Sequence, residues 1–356
     1  MTNRRGFLAG LVSASLLPAP SWADVGSPGF VTAAKTSSGD FVLVGLSDHL
    51  GELFRLPLPS RGHAAAAHPT RPEAVGFARR PGTYALVIDC RNGAISAQMQ
   101  APEGRHFYGH GAFSADGSVL FTTENDFEAG RGVIGVWDAK RSYRRIGEFD
   151  SGGVGPHELS LMPDGQALIV ANGGIDTHPD SGRAKLNIPT MRPNLSLIGL
   201  DGTILDMAEP PVALRRNSIR HLDVRADGRV AFGMQWQRDI HTTPPLVGTY
   251  TVGQGPVIAP ENAIWRNMHA YVGSVSFVRG GTRIAVTSPR GGVVVELDAD
   301  SLEPLASHLQ SDVCGVSTRD GHVVTTTGQG ELFLDERRMG QIRELAFDNH
   351  LVAISG

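Results

Sequence analysis

One motif returns along the chain: a polar loop, a short apolar strand, an Asp-Gly turn and a second apolar strand. Its clearest copy runs from Gly104 to Asn125, where a histidine-bearing loop leads into Ala112-Phe113, turns at Asp116-Gly117 and continues through Val119 to Thr123. Gly155 to Asn172 repeats it around Asp164-Gly165, and Ser218 to Gly228 ends its own copy in Asp227-Gly228. Further copies follow at Tyr271 to Gly281 and at Asp312 to Gly321. With the apolar segments before Gly104 grouped in the same way, the count is about seven units of roughly 40 to 50 residues, the period of propeller blades. A two-sheet sandwich also has many short strands, but it gives no reason for one motif to keep returning. The expected fold is all-β, a seven-bladed beta-propeller of four-stranded antiparallel blades, in which radial closure removes exposed sheet edges. Segments near Ile342 to Phe347 and Leu351 to Ser355 are expected to help close the ring, with no blade assigned to them.

The 44 glycines and 22 prolines are spread over all 356 residues, which favours many turns inside one domain over a linker between two. A hydrophobic content of 41% is enough for a large core, and a net charge of -4 argues against a general nucleic-acid surface. The first residues read differently. Asn3-Arg4-Arg5-Gly6-Phe7-Leu8 is a twin-arginine pattern, followed by the apolar run Leu8 to Leu17 and the small-residue site Ser21-Trp22-Ala23. Residues 1–23 are therefore expected to be a twin-arginine export signal cut before Asp24, and residues 24–356 a single propeller domain. No second apolar run of about 18 residues follows, so no transmembrane segment is expected in the mature chain. Cys90 and Cys314 are expected as small buried residues.

In a blade that meanders outward, the loop into the innermost strand and the loop joining the second and third strands emerge on one face. The Asp-Gly turns lie on the other. This sorting places Arg105, His106, His110, His157, Glu158, Arg220, His221 and Tyr271 at one mouth of the central channel, with His63 on the same face. The other loops add Glu124, Asp126, His178, Arg183 and Arg290. Loops on a rigid scaffold are where binding and catalysis concentrate. The long irregular stretch from Asn172 to Pro193 is expected to wall or cover this mouth.

Three chemistries suit these residues. His110, His157 and His221 recur at equivalent positions and, facing a carboxylate such as Glu158 or Glu124, could hold iron, manganese, copper or zinc. Alternatively, an exported hydrolase, lyase or oxidoreductase could act on a small anionic substrate. His157, His221 or Glu158 would then serve as acid or base, and Arg105 and Arg220 as clamps. In the third reading each histidine only satisfies loop backbone groups. The sequence has no His-Glu-x-x-His, no Gly-x-Ser-x-Gly and no Cys-x-x-Cys-His.

The segments Phe107 to Phe113, Thr123 to Asp126, Ser218 to Leu222 and Asp312 to Val316 carry a resemblance, sharpened by Gly155-Pro156-His157-Glu158-Leu159 and by Asn172-Gly173-Gly174-Ile175-Asp176-Thr177-His178-Pro179-Asp180-Ser181-Gly182-Arg183. In these the chain resembles the exported bacterial propellers catalogued as domain of unknown function 1513. The resemblance implies an amine-dehydrogenase-like propeller in the periplasm. Members are often encoded beside imelysin-like iron-regulated proteins and di-haem oxidoreductases, which implies partners among iron-uptake proteins and a part in iron or other metal acquisition. No catalytic residues are established for that family, so none carries over.

Overall fold

The computed structural model describes residues 20–354. The paired arginines and the apolar run of the expected export signal lie outside them. The described chain forms seven four-stranded antiparallel sheets joined in a ring by contacts between neighbouring innermost strands, so the fold is the seven-bladed all-β propeller. From blade 2 to blade 7 the innermost strands are Gly62–Ala67, Arg105–Phe113, Pro156–Leu161, Asn217–Val224, Ser274–Val278 and Val313–Arg319. Blade 1 is composite. Phe30–Thr36, Phe41–Leu46 and Glu52–Leu58 take Leu345–Ala353, from the other end of the chain, as their innermost strand. The two C-terminal segments read from the sequence are thus one strand of 9 residues, whose pairing runs from Phe30 with Ala353 to Thr36 with Leu345.

Burial follows distance from the axis. In blade 4 the second strand, Ala167–Asn172, is buried at every position because both its faces meet other parts of the ring, and it reads as a continuous apolar run. The outermost strand of blade 2, Ala94–Gln100, is mostly exposed. The core is divided into wedges between adjacent blades. One packs Phe77 against Phe107, which in turn meets Trp137. Another, between blades 7 and 1, packs Val324 and Leu332 with Phe30, Phe347 and Leu351. Each large side chain so buried contributes about 1.5–3 kcal/mol, so every wedge helps hold the ring shut. Cys90 and Cys314 are buried and unpaired.

Blade 3 corrects part of the sequence reading. Glu124, Asp126 and Arg105 do not reach the channel mouth. They belong to an ion-pair network on the blade itself, because strand alternation turns Glu124 onto the sheet face, toward the outermost strand. Glu124 is fully buried and accepts two hydrogen bonds from Arg145, at 2.7 and 2.9 Å. It passes over Gly135, where a Cβ would lie 2.0 Å from its Oε1. Arg105 pairs with Glu148 and lies 3.5 Å from Asp126, which also accepts from Arg131 at 3.1 Å. Hydrogen bonding from Arg105 and then Arg145 pulls the Glu148 carboxyl down to about 2, against the opposing effect of burial.

Ahead of the first strand, Trp22 packs with Leu43, Ala65 and Ile88, and its indole donates to the His68 carbonyl at 2.9 Å.

Two outcomes test these contacts. Arg145→Ala leaves the buried Glu124 carboxylate with only the Thr122 hydroxyl at 3.0 Å and Arg105 at 3.9 Å, and is expected to cost about 3 kcal/mol in denaturant unfolding. An exported form that begins at Asp24 by N-terminal sequencing would lack the Trp22 indole. It is expected to unfold at a lower temperature than the uncut chain, for a loss of about 3–5 kcal/mol.

Candidate functional site: an imidazole cage under a cationic funnel

In six of the seven innermost strands the pairing with the next strand slips near the mouth end. The residues left over are His63 and Ala64, Tyr108 to His110, His157, Arg220, Cys314 and Gly315, and Asp348 to His350. A bulge bends its strand and re-aims the side chains beside it, here toward the axis. At Gly109, in one of the two widest bulges, φ is +103° and a Cβ would lie 2.7 Å from His63 Cδ2, so both the backbone and the neighbour require glycine.

The bulges bring five imidazoles from five blades together. Ring centroids are 4.6 Å apart for His63 and His350, 4.5 Å for His110 and His350, 5.0 Å for His110 and His157, and 4.8 Å for His157 and His221. Glu158 joins them, with Oε2 at 3.2 Å from His221 Nδ1 and Oε1 at 3.7 Å from His110 Nδ1. Two sets of donor atoms, His110 with Glu158, His221 and His350, and His63 with His110 and His157, each lie within 4.8 Å of one another.

Charge in this cage follows from burial. Desolvation holds His110, His157, His221 and His350 well below the usual imidazole range, and mutual repulsion among the rings adds to it. These four rings are neutral at neutral pH, with lone pairs available for coordination. Burial pushes Glu158 up to about 8, only partly offset by the backbone N–H of Leu222 at 3.3 Å. Behind the cage, Asp348 Oδ1 lies 3.5 Å from His63 Nδ1, while its Oδ2 accepts from Arg61 at 2.8 Å. Although burial opposes it, these two neighbours hold the Asp348 carboxyl below the usual carboxylate range. His110 Nε2, His157 Nδ1 and His350 Nε2 are buried with no hydrogen-bond partner. Buried polar atoms are ordinarily paired, so these nitrogens are open to a ligand. Neutral imidazoles with one carboxylate form a donor set that fits a transition metal.

Above the cage opens a cavity of about 350 Å³. His63, His157 and His221 belong to its lining, as do Arg79, Arg80, Tyr108, Arg220, Tyr271 and Arg290. The irregular stretch after Asn172 supplies one wall through Thr177, His178, Arg183 and Lys185. His106 is also in the lining, but both its ring nitrogens are occupied, Nδ1 on the Phe107 carbonyl at 2.9 Å and Nε2 on Asn125 at 3.2 Å. Asn125 in turn donates to the Thr177 carbonyl at 2.9 Å, so His106 anchors that wall. Burial lowers this ring to about 4.

The structure therefore gathers His157, His221, Arg220, His106, His178, Arg183, Tyr271 and Arg290 around one cavity, with His110 and Glu158 beneath it. It leaves out Arg105, Glu124 and Asp126. His350, Arg79 and Arg80 were missed. Arg79 and Arg80 follow the second strand of blade 2, Glu73–Ala78, so the same-face rule that picked out the other loops would have found them.

No curated protein matches the sequence. Among solved structures, the chain is similar to Kuenenia stuttgartiensis hydrazine synthase, with a TM-score of 0.60 and 13% identity over 84% of this chain and 93% of that one. At that identity the likeness bears on the fold alone. The sequence matches the family described as "Protein of unknown function (DUF1513)" over residues 56–354, and the chain belongs to that family.

Proposed function

We propose that this protein is a periplasmic metal-binding propeller, exported by the twin-arginine route, that holds iron or another transition metal in its central channel. The observation that carries the reading is the convergence of five histidines and Glu158, with three buried ring nitrogens left unpartnered. His110, His157, His221, His350 and Glu158 would hold the ion, and His63, close to Asp348, would complete the cage. The bound metal would supply a Lewis-acidic or redox-active centre at the floor of the funnel. The protein's own groups exclude bulk water and keep the ligand nitrogens unprotonated. A place in iron or other metal acquisition, beside imelysin-like proteins or di-haem oxidoreductases, is the physiological setting we propose. The resemblance set out above supports it.

Catalysis on a small anion at the same mouth is the second reading. The cavity keeps His157, His221 and Arg220 together, but Arg105 is not available as a clamp.

Equilibrium dialysis with cobalt, zinc, copper, manganese and iron, followed by elemental analysis, tests the site. We expect one ion per chain to be retained, and His110→Ala, which removes the residue shared by both donor sets, to weaken retention by more than about tenfold. Wild-type protein that retains none of these metals would refute the reading. The protonation of Glu158 gives a second outcome. Below about pH 8 this carboxyl carries a proton that the metal must displace, while the imidazoles are already neutral. Apparent affinity is therefore expected to rise about tenfold per pH unit from pH 6.5 toward 8, with one proton released per ion. Glu158→Gln should flatten that slope.

A further inference from the structure

Six cationic side chains line the funnel above the cage: Arg79, Arg80, Arg183, Lys185, Arg220 and Arg290. None of the six forms an ion pair among the described residues, whereas arginines elsewhere, such as Arg55, Arg61 and Arg229, do. No carboxylate belongs to the lining, in a chain whose net charge is -4. Positive charge has been sorted into this one cleft. Arg220 Nε is buried there without a partner, and burial with the neighbouring Arg80 brings its guanidinium down to about 10. Arg290 is held in place, 4.4 Å over the Tyr271 ring, and the Tyr271 hydroxyl accepts from Asn349, next to His350 in the cage.

Unpaired guanidinium groups at this density repel one another and leave donors unmet. A multiply charged oxyanion offsets both, since the planar fork of arginine matches carboxylate and phosphate alike. The volume of about 350 Å³ lies at the lower end of the range for small-ligand pockets. His63, His157 and His221 form part of the same lining, so an anion seated on the arginines also faces the cage.

We propose that the funnel binds a small oxyanion carrying at least two negative charges, of dicarboxylate or phosphate chemistry, and that one of its oxygens completes the coordination of the metal on the cage. Only the second half of this statement rests on the metal reading.

The experiment is a titration of the full chain with malonate, inorganic phosphate and acetate, before and after loading with cobalt. Calorimetry reads binding, and the visible cobalt bands read coordination. We expect malonate or phosphate to bind at least about tenfold more tightly than singly charged acetate, more tightly still to cobalt-loaded protein, and to shift the cobalt bands. The tighter of the two assigns the carboxylate or phosphate source. Arg220→Gln, and separately the exposed Arg290→Gln, should each weaken the anion, with cobalt content measured in parallel. Two variants keep the test decisive if the buried one fails to fold. Malonate and phosphate binding no better than acetate, or unaffected by Arg290→Gln, overturns the anion site. Tight binding that leaves the cobalt bands unmoved overturns the coordination half. If cobalt is not retained, the coordination half falls, and anion binding to the metal-free chain still decides the funnel.

Discussion

Everything at the axis depends on how seven strands can share one line. Each innermost strand needs its hydrogen bonds on the outward side, yet the channel has to be filled by side chains that point inward. The bulges reconcile these demands. They break the ladder for one to three residues at one level and turn the freed side chains toward the centre. Where histidines sit in or directly beside these bulges, five rings meet, with neighbouring centroids as close as 4.5 to 4.8 Å. Burial then sets the chemistry, holding His110, His157, His221 and His350 well below the usual imidazole range and pushing Glu158 up to about 8.

The arginines fall into two populations with different physical roles. Arg145 and Arg105 spend their donors on Glu124 and Glu148, and that network ties the outermost strand of blade 3 to the strands inside it. Arg220 and its neighbours in the funnel have no such partners. The distinction concerns where charge is neutralised: inside the sheet it is settled within the fold, while the lining of the funnel holds no carboxylate to settle it.

The fold was legible because the Asp-Gly motif recurs, and the mouth was legible because a meander sends alternate loops to the same face. His110, His157 and His221 follow from those two facts. Glu124 and Asp126 were misplaced because sequence order locates a residue along a strand but not which face of the sheet it takes, and the crossing over Gly135 becomes visible only when the blade is assembled. His350 was missed for a different reason. Its strand was read as two pieces on either side of Asp348-Asn349-His350, a polar triplet that looks like a turn and is in fact a bulge. Treating the C-terminal segment as one more innermost strand would have aligned His350 with His110, since each ends the polar bulge of its strand.

His350 comes from the last strand of the chain, which docks beside the first. A chain still emerging, or one cut short before this strand, lacks the ring that lies 4.6 Å from His63 and 4.5 Å from His110. The five-ring cluster is complete only when the first and last described strands have paired, so its assembly is a chemical record that the ring has closed.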